Sequence, residues 1–251
     1  MVINKCIILA GGYAKRLRPM TEVLSKHLMP IYNKPMIYYP ISTAMEAGIR
    51  KFLIITKKED LNNYKKLLGN GKNFGISISY KIQKKPIGIP EAFLLGQKFI
   101  NKDPVCLNLG DHIFFGKDVK NKLKYHIKNF SKSTIFTYTV NKPNSYGVLY
   151  KNKQNNYKII EKPKKIISNK IICGLYLYTS DVVSLSKKLK LSKRSEIEIS
   201  DLNNIFLSNK CIKLIHINKN NTWADAGNPN NILKISNLIK KLEVKYDQFI
   251  G

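Results

Sequence analysis

The chain has 251 residues, 43% of them hydrophobic and 24% charged, which is the balance of a folded globular protein rather than a disordered or fibrous one. No apolar run is long enough to cross a bilayer, and the first, Cys6–Ala10, is too short for a signal-peptide core, so a cytoplasmic protein without a membrane partner is expected. The net charge of +28 would suit a nucleic-acid binder, but the lysines are spread along the chain with no basic tail or aromatic-interleaved stripe; Lys, Asn and Ile are abundant together, as AT-rich coding favours, and no nucleic-acid partner is expected.

In chain order, the first predicted strand, Cys6–Ala10, stops at Gly11 and Gly12, and Arg16 and Arg18 follow. Glycines beyond the carboxyl end of a parallel strand let backbone N–H groups approach phosphate oxygens, and guanidinium groups suit the same anion. Alone, this loop is equally consistent with an ordinary turn; it is neither G-x-x-x-x-G-K-S/T nor G-x-G-x-x-G. A helix is predicted from Pro35 to Gly48, a strand over Phe52–Thr56, and helices over Glu59–Leu68 and Pro90–Ile100. The strand Val105–Leu109 comes next, with Asp111 just past its end, where a carboxylate facing a phosphate cradle would hold Mg²⁺; a turn-forming aspartate is the competing reading.

Strands Thr134–Val140, Tyr157–Ile160 and Ile171–Tyr178 read as an antiparallel insertion with mixed pairing, and Lys213–Ile217 as one strand more. Asp225 follows late in the chain, and spacing alone does not bring it to Asp111. Asn228 and Pro229 suit the cap and first position of a helix whose Ile232, Ile235, Leu238, Ile239 and Leu242 share one face. Cys6, Cys106, Cys173 and Cys211 lie far apart with no C-x-x-C pair, so free, mostly buried thiols are expected. The pattern predicts a single domain over residues 1–251: an α/β fold with a Rossmann-like mixed, mostly parallel central sheet flanked by helices.

The segments "ILAGGYAKRLRPMTEVLSKHLMPIYNKPMIYYP", "LNLGDHIFFG", "YGVLY", "IIEKP", "GLYLY", "SEIEISDLN" and "WADAG", in this order, resemble the sugar nucleotidyltransferases, and among them the short-form glucose-1-phosphate thymidylyltransferases. The resemblance covers nearly the whole chain. It implies a reaction between dTTP and glucose 1-phosphate that releases pyrophosphate, with Mg²⁺ as cofactor; a homo-oligomer stays open. It also implies roles. Leu9, Gly11, Gly12 and Arg16 would hold the nucleotide phosphates, with Lys26 adding charge beside the pyrophosphate. Gln83 and Gly88 would read the base, and Asp111 and Asp225 would bind the metal. Gly147, Glu161, Lys162, Ile172 and Arg194 would bind the sugar phosphate, and Arg16, Lys26, Asp111 and Lys162 would be the catalytic set. The short form implies that the long-form effector region is missing.

The sequence departs from the family pattern at a few positions. The usual loop G-x-G-T/S-R-L has Ala14 and Lys15 here, and Ala14 is expected to keep a negative φ. His112 stands where thymidylyltransferases usually carry Asn, Pro90 follows "GI" in place of a small residue, and Lys84 replaces a proline. Two alternatives follow: the same chemistry with UTP, CTP or another hexose 1-phosphate, or a catalytically dead paralogue that binds nucleotide sugars.

Overall fold

The computed structural model describes residues 1–247 and 250. Strand β1 (Lys5–Leu9) carries Cys6, Ile7 and Ile8 with no exposed surface, the continuous apolar reading of a strand covered on both faces. It pairs in parallel with β4 (Lys51–Thr56), after the short ribbon β2 (Pro30–Ile31) and β3 (Lys34–Pro35) and helix α1 (Tyr38–Glu46). Helix α2 (Leu61–Leu68) leads to β5 (Ser77–Ile82), parallel to β4; the alternating exposed positions of β5 fit a sheet edge. The helix expected from Pro90 to Ile100 is two pieces, α3 (Glu91–Leu95) and α4 (Gln97–Ile100), which meet at Gly96. Next come β6 (Val105–Leu109), parallel to β1 on its other side, the four-residue β7 (His112–Phe115) and helix α5 (Lys117–Lys128).

The second half of the sheet is antiparallel. It is built from β8 (Ser133–Thr139), β9 (Gly147–Lys151), β10 (Tyr157–Glu161) and β11 (Lys170–Tyr178). These strands extend the central sheet directly instead of forming a separate insertion, because β11 runs antiparallel to β6, placing Tyr176 opposite Leu107. The order is β10-β9-β11-β6-β1-β4-β5, with β8 bonded to β11. Helices α6 (Val182–Lys187) and α7 (Ile199–Ser208) precede β12 (Ile212–His216), which is parallel to β8. The mixed α/β sheet flanked by helices read from the sequence is the observed architecture.

Two features at the C-terminal end position the site. Strand β13 (Thr222–Asp225) pairs antiparallel with β7, outside the main sheet, in the register Asp225 to His112 and Trp223 to Phe114. Helix α8 (Pro229–Tyr246) is capped as expected: the Asn228 side chain accepts from the Asn231 N–H at 2.9 Å. Its buried Ile235 and Ile239 pack with Met36, Tyr39, Ile113 and Ala226, which clamps the β7–β13 ribbon in place. Cys6, Cys106 and Cys173 are buried free thiols, and Cys211 is free and exposed. Among the described residues no helix is long and apolar enough to cross a membrane.

Candidate active site

Two clefts open at the carboxyl ends of the parallel strands. The larger, about 1160 Å³, is lined by Tyr13, Gln83, Glu91 and lysines 57, 58, 65, 81 and 84. The smaller, about 500 Å³, is lined by Arg16, Asp111, His112, Tyr146, Gly147, Glu161, Lys162, Ile172, Ser200 and Asp225, among others. The loop after β1 supplies Tyr13 to one and Arg16 to the other.

The β7–β13 ribbon does what sequence spacing could not. Asp111 immediately precedes β7 and its carbonyl accepts from Ala226 N–H at 2.9 Å, so the residues flanking Asp225 are zipped to those flanking Asp111. A ligand atom from each of Asp111, His112 and Asp225 lies within 4.8 Å of the other two. Two carboxylates facing a cleft rimmed by cations are the donor set a hard divalent ion takes when substrate phosphates and water complete its shell. The residues therefore fit a metal.

Lys26 donates to Asp111 Oδ2 in a close ion pair, and both side chains are largely buried. Burial opposes ionisation of Asp111, but the Lys26 ammonium and the neighbouring His112 prevail and hold its carboxyl well below the usual range. His112 Nδ1 lies 2.6 Å from the carbonyl oxygen of Cys173, which also accepts from Trp223 Nε1 at 3.0 Å. Tyr146 sits edge-on to Trp223, ring centroids 5.2 Å apart. Burial pushes its hydroxyl up to about 12, and the neighbouring Asp225 carboxylate pushes the same way. The hydroxyl thus stays a neutral donor at physiological pH. Arg16 reaches the same corner: a methyl group placed on Gly227 would lie 2.7 Å from a guanidinium nitrogen and 2.8 Å from Asp225 Oδ1.

The floor of the smaller cleft comes from the antiparallel half. Glu161 ends β10, opposite Gly147 in the β9 ladder. Ser200 on α7 donates to Glu161 Oε2 at 2.5 Å, and burial still raises the carboxyl above its ordinary value. Lys162 follows with φ 45, a left-handed conformation, and its N–H donates to the Tyr146 carbonyl at 2.9 Å. Ile172 is buried beside it. Arg194 is held elsewhere: its guanidinium lies 3.2 Å from Glu196 and 3.4 Å from Glu198, and reaches this cleft only through Glu161, 3.9 Å away.

Two glycines have reasons visible in the packing. A side chain on Gly11 would strike Gln83, with Cβ only 2.1 Å from Oε1, so its bareness lets the loop lie on the Gln83 amide. Gly88 has φ 131, and a Cβ there would lie 2.0 Å from the Ile197 carbonyl oxygen; it makes room for the segment entering α7. Gly12 is exposed with open space above it. Leu9 closes β1 beneath the loop. Ala14 does not keep the negative φ expected of it. It has φ 46 and ψ 45 because its carbonyl accepts from Leu17 N–H at 2.9 Å and Thr21 Oγ1 at 3.1 Å, starting the short turn that carries Arg16. That conformation costs a non-glycine residue about 1–2 kcal/mol.

The sequence reading assigned no role to Tyr146, Ser200 or Glu91. The first two stand inside quoted motifs, "YGVLY" and "SEIEISDLN", but a role needs the fold that brings α7 under β10. Glu91 falls inside the predicted helix Pro90–Ile100, where nothing in the sequence marks it.

His27, behind Lys26, is buried, and desolvation together with Lys26 holds its ring down to about 3. The unfolded chain takes up this proton near pH 6.5 and the folded chain only near pH 3. Between those values stability falls with falling pH, by about 1.4 kcal/mol per unit from this group. Thermal melts across that range should show a shallower slope for His27→Gln than for the wild type; parallel slopes would mean that His27 is charged in the fold.

The fold is that of the nucleotidyltransferases. Residues 5–241 match the model of the nucleotidyl transferase family, and the chain belongs to that family. It is 41% identical over 242 residues to a glucose-1-phosphate thymidylyltransferase of Neisseria meningitidis, covering 95% of this chain and 83% of that protein. A Bacillus anthracis structure described as a glucose-1-phosphate thymidylyltransferase, in complex with sucrose, superposes with a TM-score of 0.84 at 35% identity, over 93% of this chain and 94% of the other. A UDP-glucose pyrophosphorylase bound to UDP-glucose gives 0.82 at 26%, over 96% and 100%. Enzymes of this family generally work with a divalent metal ion.

Proposed function

We propose that residues 1–251 work as one unit that joins dTTP to glucose 1-phosphate, giving dTDP-glucose and pyrophosphate. The observation that carries this reading is the convergence of Asp111 and Asp225 on one cleft beside Arg16 and Lys162. A phosphate oxygen of the sugar phosphate attacks the α-phosphorus; the new P–O bond forms as the bond to the pyrophosphate oxygen breaks, and the electron pair leaves with pyrophosphate. The attacking oxygen is already anionic, so no general base is required, and alignment with charge neutralisation supplies the catalysis.

The loop from Leu9 through Gly11 and Gly12 to Arg16 holds the triphosphate against bare backbone. Arg16 and Lys26 neutralise the departing pyrophosphate. Gln83 reads the base in the larger cleft, with Gly88 in the loop beside it. Glu161, fixed by Ser200, grips sugar hydroxyls between Gly147 and Ile172, and Lys162 takes the sugar phosphate. Arg194 reaches a phosphate only by releasing its glutamates, so its part is smaller. Asp111 and Asp225 hold Mg²⁺, which supplies charge stabilisation at the phosphoryl oxygens when bound.

A panel of dTTP, UTP, CTP, ATP and GTP with glucose 1-phosphate, read by pyrophosphate release, tests the proposal. It predicts the highest kcat/KM with dTTP. Preference for UTP would move the chain toward the UDP-glucose pyrophosphorylases, and no release with any nucleotide would defeat the catalytic reading.

A further inference from the structure

His112 opens β7 and lines the smaller cleft, 7% exposed. It stands directly opposite Asp225 in the β7–β13 ladder, so the two side chains leave the ribbon on the same face. Strand β11 is shaped to receive its ring. The pairing of β11 with β8 shifts register between Ile172 and Tyr176, and inside that irregularity Gly174 has φ 68. A Cβ on Gly174 would lie 2.3 Å from His112 Nδ1 and 2.5 Å from Cε1, so the bare backbone there is the seat of the imidazole. Trp223 meets the ring edge-on, centroids 5.4 Å apart.

The seat also fixes which nitrogen is committed. Nδ1 lies 2.6 Å from the Cys173 carbonyl oxygen, which can only accept, so Nδ1 carries the proton. The Trp223 N–H is 3.3 Å from Nδ1 but has the same carbonyl as its nearer acceptor, at 3.0 Å. Nε2 has no hydrogen-bond partner among the described residues and is not sealed from solvent, so it opens on the cleft. This is the arrangement of a metal-bound histidine: one nitrogen donates to a carbonyl, which aims the ring and strengthens the other nitrogen as a ligand.

We propose that His112, through Nε2, is a third protein ligand of the divalent ion that Asp111 and Asp225 hold. The three residues already bring one ligand atom each to within 4.8 Å of the other two. An imidazole nitrogen beside two carboxylates moves the centre away from the all-oxygen set that Mg²⁺ takes and toward Co²⁺ and the later divalent ions. The asparagine usual at this position in related sequences offers no such nitrogen.

This inference rests on the metal site proposed above, but not on turnover. Mn²⁺ bound to the full chain with dTTP is read by electron spin-echo envelope modulation, and Co²⁺ and Mg²⁺ affinities are measured by calorimetric titration. The wild type should show a directly bonded imidazole nitrogen, a measurement that needs no variant to fold. His112→Asn and His112→Gln should both lose that coupling. Either variant should bind Co²⁺ at least about tenfold more weakly, with Mg²⁺ affinity within a few-fold of the wild type. No nitrogen coupling in the wild type, or a coupling that persists in both variants, would overturn the inference. So would equal losses of Co²⁺ and Mg²⁺, the result of a merely structural histidine. Nitrogen-bound Mn²⁺ without pyrophosphate release from any nucleotide would defeat the transferase proposal and leave the ligand standing; pyrophosphate release by a protein whose Mn²⁺ carries no imidazole nitrogen would do the reverse.

Discussion

Replacing Asp111 by Asn should lower kcat by about 10²–10³ while leaving a folded protein, because it removes charge from the centre of the cleft and almost no volume. The substituted amide keeps an acceptor for Lys26 but loses the anion that the ammonium and the metal both need. The stability cost follows from the depressed carboxyl of Asp111. A carboxylate whose folded pKa lies below its unfolded value stabilises the fold above the unfolded pKa, near 4, and loses that contribution as pH falls further. The Asp111→Asn variant should therefore melt somewhat below the wild type at pH 7, and the two should converge in strong acid. Circular dichroism with pyrophosphate release separates the outcomes: a native spectrum with near-normal turnover would remove Asp111 from the chemistry.

Lys162→Gly should lower kcat/KM for glucose 1-phosphate by about 10²–10³ and yet melt no lower than the wild type. Lys162 holds a left-handed backbone that costs a side-chain-bearing residue about 1–2 kcal/mol. The cost is sustained by the turn that follows Glu161, where its N–H bonds the Tyr146 carbonyl, and that turn places the ammonium in the cleft. Glycine relieves the strain and gives back roughly 0.5–1 kcal/mol in chain entropy, for a net change between zero and about 1.5 kcal/mol of added stability. Lys162→Ala should lose as much activity without that gain. Retained activity in both variants would take Lys162 out of the sugar-phosphate site, and equal melting of Ala and Gly variants would argue against the left-handed turn.

The parallel half of the fold was legible where its strands are covered on both faces: Cys6–Ala10, Phe52–Thr56 and Val105–Leu109 are largely apolar runs, with Thr56 and Asn108 their polar members, separated by helices. The glycine loop was legible for the same reason, since it interrupts such a run. Strand β5 escaped because its burial is confined to alternate positions at a sheet edge. The meeting of Asp111 and Asp225 could not be read from spacing, because it is set by a ribbon of two four-residue strands more than a hundred residues apart, steadied by α8. The family resemblance supplied that pairing, and the register Asp225 to His112 supplies its physical cause. Ala14 shows the opposite limit. Sterics argue for a negative φ at alanine, but two hydrogen bonds to its carbonyl and the turn that aims Arg16 outweigh a penalty of about 1–2 kcal/mol.

The sharing of one divalent ion by two distant aspartates with the bound nucleotide is tested most directly by Mn²⁺ binding, followed by electron paramagnetic resonance in the presence of dTTP. The wild type should hold about one Mn²⁺ per chain, and Asp111→Asn and Asp225→Asn should each weaken it at least about tenfold while dTTP still binds. Mn²⁺ affinity untouched by either substitution would contradict the account.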